Sequence, residues 1–203
     1  MELKPGYKQT EVGVIPEDWE VHTMNQLFLF RQGVQSPVVQ QEYVEQFGYK
    51  RFIRIIDLTD SSVPWRFIVD PGPSHHVLPS DLFMVRYGTP GLVGLGYNGV
   101  IANNLFQLIP KKSVVPTYYF HYLLYRRADI ADISGSTTMP AISFSTLGVF
   151  KIIYPPLAEQ QAIAKVLSDM DAELEALESL IAKKRDIKQA MMQELLTGRT
   201  RLV

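Results

Sequence analysis

The sequence predicts an α+β chain. Residues 1–156 form a domain with a mixed, twisted β-sheet and short helices, and residues 157–203 form a long α-helix in an antiparallel coiled coil. Three observations carry this reading. Up to Pro156, glycine and proline recur every few residues and the apolar runs are short. From Leu157 to Thr197 there is neither glycine nor proline. In that second stretch the apolar residues fall at alternating spacings of four and three, the seam of a coiled coil.

The 203 residues suit one domain with an appendage. Hydrophobic residues make up 46% and charged residues 20%, an ordinary globular balance. No run approaches the roughly 20 apolar residues of a membrane span. Met1–Gly6 lacks an apolar signal core, and cysteine is absent, which excludes disulfides and thiolate metal sites. A cytoplasmic chain is expected.

The elements follow in order. Phe52–Ile56 is a β-branched run ended by Asp57, and Trp65–Val69 is a second, ended by the turn Asp70-Pro71-Gly72-Pro73. Asp81–Arg86 leads into a glycine-rich stretch from Gly88 to Gly99, where Asn98-Gly99 suits a hairpin turn. Val100–Ala102 and Leu105–Ile109 are further strands. Pro116 opens a helix, because its missing N–H costs nothing in a first turn, and helical spacing continues to about Ile133. Val149–Tyr154 is the last strand.

The long helix carries Ile163, Leu167, Met170, Leu174, Leu177 and Ile181 on one seam. The strict register then meets Lys184 and Lys188, while the stripe continues through Leu180, Ile187, Met191 and Leu195. A helix of about 40 residues is roughly 60 Å long, too long to bury its stripe on a small domain alone. It needs a partner helix. Residues 157–178 carry a net −5 and residues 179–203 a net +4. Two copies packed antiparallel set acidic half against basic half, whereas a parallel pair sets like against like. An antiparallel homodimer about a two-fold axis is therefore expected. The same polarity also suits the helix dipole.

The net charge of the whole chain is −1, which does not itself suggest nucleic acid. Residues 50–127, however, hold nine basic and four acidic side chains. That basic middle suits a phosphate-facing surface, or simply a solvated face.

Three segments resemble one family. Tyr7-Lys8-Gln9-Thr10-Glu11-Val12-Gly13-Val14-Ile15-Pro16-Glu17-Asp18-Trp19-Glu20-Val21 resembles the opening of specificity subunits of type I restriction-modification enzymes. Pro155-Pro156-Leu157-Ala158-Glu159-Gln160-Gln161-Ala162-Ile163-Ala164 resembles the entry into that family's conserved helix, and Met192–Arg199 resembles its end. The resemblance implies a non-catalytic subunit that directs methylation and restriction subunits to a bipartite site on double-stranded DNA. S-adenosylmethionine is then expected on the methylation subunit, with no cofactor or metal on this chain. Family members usually carry two recognition domains and two helices that act as a ruler. One domain and one helix here imply a half-length form, made whole by dimerisation through Ile163, Leu167, Met170, Leu174, Leu177, Ile181, Ile187 and Met191.

Three places suit contacts with DNA. Arg86, Tyr87 and Thr89, continuing to Asn98, lie among glycines that let backbone approach phosphates, and arginine can grip guanine with two bonds. Ser136, Thr137 and Thr138 offer small hydroxyls for phosphate contacts. Arg31 and Gln35, with Gln32 and Ser36, form a third group. Each also fits a plain surface loop. Catalysis has little support. Tyr154-Pro155-Pro156-Leu157 lacks the Asn or Asp of an amino-methyltransferase motif, and His75-His76 are adjacent, so they project to opposite sides of a strand. Two other readings stay open. One is an interaction protein that does not read DNA but dimerises and blocks or redirects methylation subunits; the other is a small DNA hydrolase.

Overall fold

The computed structural model describes residues 4–134 and 140–203. The loop residues Ser136, Thr137 and Thr138 lie outside the described residues. The chain divides into two compact units, Met1–Gln161 and Ala162–Val203.

The first unit is α+β. Strands β1 (Tyr7–Thr10) and β2 (Gly13–Pro16) form an antiparallel hairpin. β3 (Glu20–Thr23) runs into a single turn, α1 (Met24–Leu27), whose Gln26 side chain accepts from the Thr23 amide at 2.7 Å. β4 (Phe28–Gln32), β5 (Tyr49–Ile53), a turn α2 (Ile56–Thr59) and β6 (Arg66–Val69) follow. Next come β7 (His76–Val77), β8 (Leu82–Val85), β9 (Val93–Gly94), β10 (Gly99–Ile101) and β11 (Leu105–Pro110). Helices α3 (Pro116–Tyr125), α4 (Arg127–Asp132) and α5 (Phe144–Gly148) precede β12 (Lys151–Tyr154).

Two four-stranded sheets dominate. One has the order β6-β5-β10-β7, with β5 and β10 parallel; the other has the antiparallel order β4-β11-β8-β9. Their connection runs through β10 and β11, and Phe52, Ile53, Val77, Phe83, Val100 and Leu105 close a common core. β12 pairs antiparallel with β3 and so ties the end of the unit to its beginning.

Several sequence expectations need correction. The run Phe52–Ile56 is strand only to Ile53. Asp57 accepts from the Arg54 amide at 2.7 Å and takes its guanidinium in two bonds of 2.9 Å, which turns the chain into α2. Asn98-Gly99 is not a hairpin turn, because Gly99 already pairs with Val77 in β10. Glycine is required there by close approach: a Cβ would lie 2.3 Å from the Arg51 carbonyl oxygen. The single helix expected from Pro116 to Ile133 breaks at Arg126 into α3 and α4. The last strand starts at Lys151, not Val149, which caps α5.

The second unit consists of α6 (Leu157–Leu196) from Ala162 onward and the residues that follow it; the helix runs from just after Pro156 and ends before Gly198, whose φ is +71°. Those residues bound the helix as expected from proline at the start and glycine after the end. The first turn of α6 belongs to the first unit. Among the described residues no helix is long and apolar enough to cross a membrane.

Candidate nucleic-acid interface

Arg86 leaves β8 at one end of the β4-β11-β8 sheet. Its Nε donates to the Ile142 carbonyl at 3.0 Å and its Nη1 to the Gln32 side-chain carbonyl at 2.8 Å. The backbone closes the same joint: the Arg86 amide donates to the Asn104 carbonyl at 2.8 Å, and the Ile142 amide to the Arg86 carbonyl at 3.0 Å. The guanidinium also lies 4.5 Å from the Phe144 ring centre and 4.8 Å from that of Tyr87. Half-buried and bonded this way, Arg86 braces three segments.

Around that brace the structure gathers several of the residues expected from sequence. Gln32 ends β4 opposite Phe106, and exposed Arg31 pairs with Gln107 and donates to the Ser74 carbonyl at 2.7 Å. Gly33 follows, where a Cβ would meet the Ala102 carbonyl oxygen at 2.2 Å, so the backbones are in direct contact. Tyr87 bridges to Ala141, and the Gly88 amide donates to the Pro140 carbonyl at 3.4 Å. Pro140, Ala141 and Ile142 are therefore stitched beside Arg86 and Tyr87. Thr89 is exposed at the tip of the adjacent turn. Gln35 is exposed in a separate shallow depression with Gln40, Glu42, Tyr49 and Pro71. Asn98 is exposed at the entry to β10, on the other sheet.

The sequence reading missed a second surface. On β5 and β6, the Arg51 guanidinium stacks 3.9 Å from the Trp65 ring centre, and that of Arg66 lies 3.5 Å over Tyr43. Arg66 also donates to the Tyr43 hydroxyl. Trp65 and Tyr43 are 54% and 60% exposed, and Phe47 nearby in sequence is fully exposed. Exposed arginine–aromatic stacks can offer charge to phosphate and a ring face to a base. Nothing local in the sequence marks them, because Tyr43 lies 23 residues from Arg66.

The motif residues have a separate task. Gln160 is fully buried, accepts from the Val115 amide at 2.9 Å and donates to the Pro155 carbonyl at 2.8 Å. It thereby holds the start of α3 against the start of α6. The Trp19 indole donates to the Glu159 carboxylate, so the first and second resembling segments touch. Tyr118, Tyr119 and Tyr122 lie on α3; burial pushes all three phenols upward, and the Tyr119 hydroxyl donates to the Ile153 carbonyl at 3.1 Å. His76 bonds Asp70 at 2.7 Å and holds that carboxyl below its ordinary range, so one member of the histidine pair serves a turn.

Relatives agree with this architecture. The chain is 26% identical over 185 residues to the type I restriction enzyme MjaVIII specificity subunit of Methanocaldococcus jannaschii, a match covering 90% of this chain and 43% of that protein. It is 27% identical to the putative MjaX specificity subunit of the same organism, covering 94% of this chain and 48% of that one. The crystal structure of the type I S subunit from M. genitalium superposes with a TM-score of 0.66 at 19% identity, covering 96% of this chain and 47% of that one. The chain thus spans about half the length of the curated relatives it matches. Residues 75–184, more than half of the chain, match the family of the type I restriction modification DNA specificity domain, and the chain belongs to that family.

Proposed function

We propose that this chain is a non-catalytic DNA-recognition subunit of a type I restriction-modification complex. Residues 1–156 read one half of a bipartite target on double-stranded DNA. Residues 157–203 pair antiparallel with the same helix of a second copy and help seat methylation subunits, which hold S-adenosylmethionine; restriction subunits join for cleavage. The observation that carries this reading is the family match across residues 75–184, which runs from the second half of the domain into the helix. The exposed stripe of α6 supports the pairing: Leu167, Met170, Leu174, Leu177, Ile181, Ile187 and Met191 are all exposed, while Ile163 is half-buried.

The DNA-facing surface, in this reading, includes exposed Arg31, Gln35, Thr89 and Asn98, the loop at Ser136–Thr138, and the stacks at Arg51 and Arg66. Arg86 and Tyr87 hold that surface in shape, and Arg86 reaches DNA only at the cost of its brace. The test is sequence-dependent protection of DNA by the chain mixed with its methylation subunit. Protection of one split sequence is expected; protection independent of sequence refutes recognition.

One observation favours a second reading. Arg54 and Arg86 are engaged inside the domain, which lowers the free positive charge of the basic middle. An interaction protein that dimerises and blocks or redirects methylation subunits would bind DNA with little salt dependence. True phosphate contacts give a steep fall in affinity with salt.

A further inference from the structure

α6 exposes two lysines on its apolar seam. Lys184 and Lys188 continue the alternating spacing that begins at Ile163, and with Ile187, Met191 and Leu195 they line a shallow apolar depression near the end of the helix. A lysine at a seam position weakens a coiled coil but fixes its register, because it must find an acceptor in one alignment only.

We propose that Lys184 and Lys188 set the register of a two-fold antiparallel pair of α6 helices from two copies of this chain, with the axis at the level of Ser179. The proposal rests on the antiparallel pairing put forward above and adds its alignment. With the axis there, Ile163 packs on the partner's Leu195, Leu167 on the partner's Met191 and Leu177 on the partner's Ile181. Lys188 and Lys184 then fall opposite the partner's Met170 and the partner's Leu174. Those two layers carry the densest acidic charge in the helix. Asp171 and Glu173 flank the seam between them, with Asp169 and Glu175 one position further out. The same alignment sets Arg185 opposite the partner's Glu173.

Neighbouring alignments lack this match. A slip by one heptad in one direction sets Lys184 and Lys188 against the partner's Leu167 and the partner's Ile163, where Val166, Ser168, Ala162 and Ala164 offer no charge. A slip in the other direction sets them against the partner's Ile181 and the partner's Leu177, where Glu178 is the acid at hand. Each slip displaces one helix along the other by about 10 Å. The occupant is a second copy because the match is self-complementary: the basic end of each helix meets the acidic stretch of the other, twice.

The absence of cysteine makes the alignment directly measurable in the full chain. Gln193 lies on the outer face of the repeat, so Gln193→Cys carries a spin label without entering the seam. With the axis at Ser179 the two labels are separated along the helices by about 42 Å; one-heptad slips give about 32 or about 52 Å. Double electron–electron resonance on the DNA-free protein is expected to give the middle distance. A dimer showing either slipped distance overturns the register and leaves the antiparallel pairing intact. A monomer by light scattering, or labels held side by side in a parallel pair, overturns the pairing itself. Neither reading depends on whether the domain recognises DNA.

A charge exchange is the second measurement. Lys184→Glu with Lys188→Glu in one chain weakens its self-association at least tenfold, as does Asp169→Lys, Asp171→Lys, Glu173→Lys and Glu175→Lys in another. An equimolar mixture restores wild-type affinity as a heterodimer. Undiminished self-association of the first variant overturns the role of the two lysines.

Discussion

Leu174→Ala tests the seam at a position that is 55% exposed in the single chain. Covering a leucine side chain completely is worth about 1.5–3 kcal/mol. Pairing covers about half of that surface, which gives roughly 1 kcal/mol for each copy. A two-fold dimer contains the residue twice, so the substitution removes about 2 kcal/mol and raises the dimer dissociation constant about 30-fold. Alanine keeps the helix, since its intrinsic propensity exceeds that of leucine. Sedimentation equilibrium over a concentration series reads the change, with circular dichroism confirming that helix content in the dimer is kept. Unchanged dimerisation with full helicity contradicts a seam through Leu174, as does a dimer that dissociates because the helix has melted.

Three further outcomes are expected. Arg86→Ala removes two hydrogen bonds from a charged donor and lowers stability by about 2–4 kcal/mol in urea unfolding, with amide exchange rising at Ile142; Arg86→Lys does not restore it, because one ammonium cannot reproduce the fork. Gln160→Leu leaves the Val115 amide and the Pro155 carbonyl without their partner and costs about 2–4 kcal/mol in the same assay. The buried tyrosines make the fold alkali-sensitive. Unfolded phenols ionise near 10, and burial holds Tyr118, Tyr119 and Tyr122 above that. The unfolded state releases these protons first, so their contribution is complete below pH 10 and is lost as the pH rises beyond it. Ultraviolet titration shows these three and Tyr97, whose phenol burial also raises, ionising at higher pH than the rest of the ten tyrosines; smooth titration of all ten together in the folded protein contradicts their burial.

Features written in local chemistry were legible in the sequence. Pro116, Pro156 and Gly198 bound helices by excluding or permitting particular backbone angles, and each does so in the structure. The apolar spacing of α6 is a property of one helix and needs no knowledge of the rest. What the structure changed or added depended on particular side-chain and backbone contacts, most of them between residues distant in the chain. Ile55 and Ile56 look like strand until Asp57 captures the Arg54 amide and guanidinium. Gly99 suggests a turn, yet its smallness answers the Arg51 carbonyl on another strand. Arg86 is marked in the sequence as a candidate for gripping guanine, and only the fold brings Gln32 and Ile142 to it from more than 50 residues away. The stacks of Arg51 on Trp65 and Arg66 on Tyr43 were invisible for the same reason. Gln160 illustrates the middle case: the family resemblance marks its segment, and two hydrogen bonds of its buried side chain give it a physical role.

Mapping DNA methylation across a genome, with the methylation subunit supplied alone and then together with this chain, tests recognition most directly. The account predicts that the chain adds methylation at one split sequence whose two halves are symmetric, as a two-fold pair of identical readers requires. Methylation that is unchanged by the chain, or lost when it is added, contradicts a DNA-reading subunit.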